Sequence, residues 1–195
     1  VNTPNLLDQA LAALNSGQTP TAIEYAEAAY RQHPADVAVL NILGACYMRG
    51  RRYDAAIERF LSATRIEPQN AALHLNLGAA YQKNGEIELA TQNFATAHAL
   101  EPANPLTRAQ YAESLFTLGR YTEALAHFSA LASDHPQRLD AWRGLGHVYF
   151  QQGDFSQAAT CYQRALQIAP QDGVAQLNLA FSVIGACITQ TSALT

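Results

Sequence analysis

Lysine is almost missing from this sequence: of 12 basic residues only Lys83 is lysine, and charged residues make up 14% of the chain, against roughly a quarter in ordinary domains. The formal net charge is −4. A nucleic-acid binder needs a basic face, and none is present. Arg49, Arg51, Arg52 and Arg59 do cluster, as a solvated turn and helix surface does. No apolar run reaches the ~18 residues of a membrane span, so none is expected. Cys46, Cys161 and Cys187 form no CxxC pair, which argues against a disulfide framework or a zinc site and fits a reducing, cytoplasmic setting. The sequence has no GxSxG, HExxH, GxxxxGKS/T or GxGxxG, the motifs that would announce a nucleophile, a catalytic zinc or a nucleotide. The six histidines are scattered, and Asp134-His135 is no dyad, because adjacent helical residues do not face each other. No enzyme activity, cofactor or metal is expected. The chain opens at Val1-Asn2-Thr3 without a methionine or a signal-peptide pattern, and it reads as a piece of a longer protein.

What is present is a strict period. Pro34, Pro68, Pro102, Pro136 and Pro170 are 34 residues apart. So are Ala22, Ala56, Ala90, Ala124 and Ala158, and so are Phe60, Phe94, Phe128 and Tyr162. Gly44, Gly78, Ala112 and Gly146 keep the same interval. A period of this size implies a stack of like supersecondary units, whose usual work is binding. In the unit from Asp36 to Gln69, Leu40, Leu43, Gly44 and Tyr47 fall on one helical face. Arg49 to Arg52 break that helix. Ala56, Ile57, Phe60, Ala63 and Thr64 form a second face, and Pro68 ends it. Each unit is therefore read as two short antiparallel helices. The small residues admit close helix approach and the large rings fill the gaps. Asp36, Asn70, Asn104 and Asp172 stand as N-caps, Pro105 as a first helical residue, and Gly85, Gly119 and Gly153 as turn residues suited to positive φ. His74 occupies the slot of Trp142 and is read as a packing residue.

These residues resemble the tetratricopeptide repeat family. Its pattern sets Trp, Leu-Gly, Tyr, Ala, Phe and Pro at fixed offsets in a 34-residue helix–turn–helix. The unit from Leu139 matches most fully, through Trp142, Leu145-Gly146, Tyr149, Ala158, Tyr162 and Pro170. The unit from Pro105 departs, with Tyr111-Ala112 for Leu-Gly and Leu115 for Tyr. The first unit lacks Leu-Gly and keeps Ala22 and Pro34. The resemblance implies an all-α, right-handed α-solenoid of antiparallel helix pairs, forming one domain over 1–195. Its repeats would span about 3–36, 37–70, 71–104, 105–138 and 139–172, with a partial sixth at 173–195.

The resemblance also implies that the first helices line a concave groove. The groove stripe then lies six and three residues before each glycine slot and one and four after. It reads Ala38, Asn41, Ala45, Met48; Ala72, Leu75, Ala79, Gln82; Leu106, Ala109, Glu113, Phe116; Asp140, Arg143, His147, Phe150. The expected site is Asn41, Ala45, Met48, Leu75, Ala79, Gln82, Ala109, Glu113, Phe116, Arg143, His147 and Phe150. Phe116 and Phe150 would anchor an apolar group of a partner protein, with Arg143 and Glu113 orienting it. The clamp by which some family members hold chaperone tails would fall on Ala45 and Asn41 and is absent. The asparagine ladder of members attached to sugar transferases is matched by Asn76 and Asn178 and broken at Ile42, Gln110 and Gly144. Three readings stay open: a protein-interaction scaffold binding a peptide or helix in the groove, the recruiting domain of a larger glycosyl- or sulfotransferase-like enzyme, and a self-assembling element. The last rests on the stretch after Asp172, which is uncharged. A helix is expected there from Gly173 to about Gly185, with 189–195 too short for a second. Its apolar face should self-associate or be shielded by a tail folding back beyond Gly185.

Overall fold

The computed structural model describes residues 3–192. They form eleven α-helices and no strand: α1 (Thr3–Asn15), α2 (Thr19–Gln32), α3 (Val37–Arg49), α4 (Tyr53–Ile66), α5 (Ala71–Lys83), α6 (Ile87–Leu100), α7 (Pro105–Thr117), α8 (Tyr121–Asp134), α9 (Leu139–Gln151), α10 (Phe155–Ile168) and α11 (Gly173–Ser192). Consecutive helices pair antiparallel, as the 34-residue period requires, giving five pairs and the first helix of a sixth. The chain divides into two compact units, Val1–Glu101 and Pro102–Thr195.

The helix starts follow the caps. Asp36 accepts from the amides of Ala38 and Val39, Asn70 from Ala72 and Leu73, Asn104 from Leu106, and Asp172 from Ala175. Each satisfies donors that a helix leaves without partners. Arg138 opens α9 without a side-chain cap. The turns inside the pairs are alike. In each, an amide reaches back five residues: Gln18 to Ala13, Arg52 to Tyr47, Glu86 to Tyr81, Arg120 to Leu115, Asp154 to Tyr149. This closure needs a left-handed residue just before the donor. Gly17, Gly85, Gly119 and Gly153 supply it, and Arg51 does so at φ 57°.

The core is built from rings against small residues. Phe60, Phe94, Phe128 and Tyr162 are fully buried. A β-carbon on Gly44 would stand 2.6 Å from the Phe60 ring, on Gly78 2.7 Å from Phe94, and on Gly146 2.6 Å from Tyr162. The slot is small because a ring of the second helix fills the space above it. Ala56, Ala90, Ala124 and Ala158 are wholly buried on the second helices.

One end differs from expectation. α11 does not stop near Gly185 but continues to Ser192, so no tail folds back among the described residues; 193–195 lie outside them. Gly185 is a contact rather than a stop: its β-carbon would stand 2.7 Å from the Phe155 ring.

Candidate functional site

In the unit Val1–Glu101 the groove stripe runs over α3 and α5. Asn41, Ala45, Met48, Leu75, Ala79 and Gln82 are all half-buried. They sit between core and solvent, as a groove wall does. Asn76 on α5 donates to Asn41 Oδ1 at 2.8 Å, tying the two helices together along this wall. A separate concavity of about 470 Å³ lies at the loop Glu67–Ala71 beside Glu101. It has no aromatic wall.

In the unit Pro102–Thr195 the stripe runs over α7, α9 and α11. Ala109 is buried in the core with Ala112 and Leu115, so it offers little surface to a ligand. Glu113 is exposed, and Phe116, Arg143, His147 and Phe150 are half-buried. Three of these converge. Phe116, His147 and Phe150, with Gln151, Tyr162 and Asn178, line a cavity of about 290 Å³. The His147 ring lies 5.9 Å from Phe116 and 5.8 Å from Tyr162. Phe150 meets Phe155 edge-on at 5.2 Å, and Phe116 leans on Tyr121 at 5.6 Å. These neighbours fix the rings that form the walls. Gln151 and Tyr162 lie outside the groove stripe. Tyr162 reads from its spacing as a packing ring only, and its ring serves both purposes.

The polar lining groups are His147, Gln151 and Asn178. With Asn178 Nδ2 donating to His147 Nε2 at 3.2 Å, a neutral His147 carries its proton on Nδ1. Burial lowers the His147 pKa, the nearby Arg143 lowers it further, and Asp172 opposes them, so the ring is neutral at pH 7. Arg143 Nη1 donates to Asp172 Oδ2 at 3.0 Å, while its buried Nε has no partner among the described residues. Partial burial raises the Glu113 pKa although the residue is solvent-accessible; Arg143 pulls it down and Asp140 adds to the rise. Arg143 and Glu113 are thus coupled electrostatically, and Arg143 is held by Asp172.

The rest of the chemistry is structural. Burial pushes the thiols of Cys46 and Cys161 up to about 11, so both stay protonated and inert. Asp134 pairs with Arg108 at 2.5 Å. Arg52 stacks on Tyr47 at 4.4 Å and Arg59 on Tyr30 at 4.8 Å, so two of the four clustered arginines are engaged by rings. His74 does more than pack: its Nε2 lies 3.0 Å from the Pro68 carbonyl. The same slot repeats this bond with other chemistry. Arg108 donates to Pro102, Trp142 to Pro136 and Gln176 to Pro170. No cluster of three His, Cys, Asp or Glu able to hold a metal occurs among the described residues, and none of their helices is long and apolar enough to cross a membrane.

Comparison with known proteins matches this repeat geometry. A family model described as tetratricopeptide repeat matches residues 7–71, 47–105 and 110–173. Among curated proteins, intraflagellar transport protein 70A of Danio rerio is 35% identical over 69 residues, which is 35% of this chain and 11% of that protein. The chain thus spans a small fraction of that relative. Among solved structures, MamA aligns with a TM-score of 0.76 at 21% identity, covering 87% of this chain and 92% of MamA. YrrB, a TPR protein with an unusual peptide-binding site, aligns at 0.75 with 22% identity, covering 90% of each chain. At these identities the likeness is one of fold.

Proposed function

Because the chain belongs to the tetratricopeptide repeat family, we propose that it is a protein-interaction scaffold without chemistry of its own, whose first helices take a partner peptide. We assign the anchor of that peptide to the cavity between Phe116, His147 and Phe150. The observation that carries this reading is the cavity's size and lining. At about 290 Å³ it lies at the bottom of the ~300–1,000 Å³ range of small-molecule sites. It suits one large side chain better than a cofactor. Its lining is aromatic at Phe116, Phe150 and Tyr162 and polar at His147, Asn178 and Gln151, a setting for an aromatic anchor with a polar tip. Arg143 and Glu113 lie beside it and would orient the flanking peptide. YrrB, a protein of like fold, is described as having a peptide-binding site, which supports a peptide as the class of ligand.

Selection of a displayed random-peptide library on the chain tests this. Enriched peptides should share a Trp, Tyr or Phe. Phe116→Ala with Phe150→Ala should weaken them at least tenfold by fluorescence anisotropy. Peptides without such a residue, or an unchanged affinity in the double variant, would overturn the assignment.

A further inference from the structure

α11 carries the apolar surface that the rest of the fold leaves unused. Val174, Leu177, Phe181, Ile184 and Ile188 are 49%, 58%, 51%, 56% and 63% exposed. They are spaced 3, 4, 3 and 4 residues apart and so form one seam along the helix. At the first four of these the exposure is no gap in the repeat packing. Within a pair, the ring of the second helix covers the glycine slot, as Phe60 covers Gly44, and that slot is Ala180 here. The first four seam residues sit six and three before Ala180 and one and four after. Those are groove offsets, where α3 carries Ala38, Asn41, Ala45 and Met48 and α9 carries Asp140, Arg143, His147 and Phe150. Only α11, among the described first helices at these offsets, has large apolar side chains at all four.

We propose that this seam docks on the same seam of a second copy of the chain, with the two α11 helices antiparallel about an axis at Phe181. Three features favour a second copy. First, the seam is nearly its own mirror. Counted from Phe181 its members lie at −7, −4, 0, +3 and +7. Reversing the helix therefore sets Val174 against Ile188, Leu177 against Ile184, and Phe181 on itself, the reciprocal pairing an isologous two-fold interface demands. Second, residues 173–192 hold no charged side chain. Two copies meet without like-charge repulsion, and no charge selects a foreign partner. Third, antiparallel helices oppose their dipoles. Five seam residues are few against the ~20–30 residues a side of a standard interface. The dimer is accordingly weak and concentration-dependent. None of the seam residues lines the cavity, so the variants below leave the cavity's own side chains in place.

The test is sedimentation equilibrium of the 195-residue chain from micromolar to millimolar concentration. The mass should rise toward that of a dimer. Leu177→Asn with Phe181→Ala places on α11 the residues that α3 has at those offsets, so the fold is preserved; it should hold the chain monomeric, as should Ile184→Glu. Gln157→Glu on the exposed side of α10 should dimerise like the parent, and circular dichroism should be equal for all. In a Cys187→Ser background, Phe181→Cys should cross-link to itself under oxidation and Val174→Cys should not. A parent chain that is monomeric throughout, a seam variant that still dimerises, or Val174→Cys cross-linking as readily as Phe181→Cys would overturn the proposal.

Discussion

Arg51 holds a backbone conformation that glycine holds in the other four turns. Its φ is 57°, and Gly17, Gly85, Gly119 and Gly153 lie between 74° and 86° at the equivalent positions. A β-carbon in this region costs about 1–2 kcal/mol, while glycine loses about 0.4–1 kcal/mol through the freer unfolded chain. The difference favours glycine. Arg51→Gly is therefore expected to stabilise the protein by roughly 0.5–1 kcal/mol, read as a higher urea midpoint at unchanged slope. Gly85→Arg should do the reverse. The requirement was legible at Gly85, Gly119 and Gly153 from residue type. It was hidden at Arg51, because an arginine gives no local sign that the turn has forced its φ. Ala109 shows another limit at this scale. Its offset places it in the groove stripe, yet it is buried with Ala112 and Leu115; periodicity reports a face and not the depth of a neighbour's approach.

For the helices, the sequence was a good guide wherever punctuation was chemical. α3 runs from Val37 to Arg49, the span expected from the Asp36 cap and the break at Arg49 to Arg52. α7 opens on Pro105 after the Asn104 cap. α11 was misjudged because Gly185 looks like a stop, whereas the Phe155 ring needs that position bare. An interior glycine that makes room for a ring cannot be told from a terminating one without the neighbouring helix. The cavity was half legible for a like reason. Phe116, His147 and Phe150 lie on one stripe, but Tyr162 reaches the cavity from a second helix whose spacing speaks only of packing. The pairing of helices through the glycine slot gives a firm expectation. At Gly78 a β-carbon would stand 2.7 Å from the Phe94 ring and 3.2 Å from the Ala90 carbonyl, so both the ring and the facing backbone must move to admit a side chain. Gly78→Leu should destabilise by about 1–3 kcal/mol or more through overpacking, seen as a lower melting temperature. An unchanged melting temperature would mean that α5 and α6 are not held at this distance.

Across the whole chain, each compact unit has its own buried rings: Phe60 and Phe94 in Val1–Glu101, Phe128 and Tyr162 in Pro102–Thr195. The uniform 34-residue period carries no mark of the division, since the same landmarks continue through it. Stacked repeats draw their stability from nearest-neighbour interfaces, so damage should stay local. Gly78→Leu is expected to raise amide hydrogen exchange in α5 and α6 well above any change in α9 and α10, measured by peptide-resolved mass spectrometry. An equal rise across all four helices would show that the chain opens as one cooperative body.

The bonds to the repeat prolines bear on how these units diverge. His74, Arg108, Trp142 and Gln176 share no side-chain chemistry beyond a nitrogen that reaches a carbonyl six residues back. That acceptor belongs to the main chain, so no mutation at the proline's own side chain removes it. For this bond, drift at the slot needs no matching change at the proline: a lineage can exchange one donor for another in a single step. Related chains should therefore vary here in residue identity, without covariation with the proline position, while keeping a donor of sufficient length.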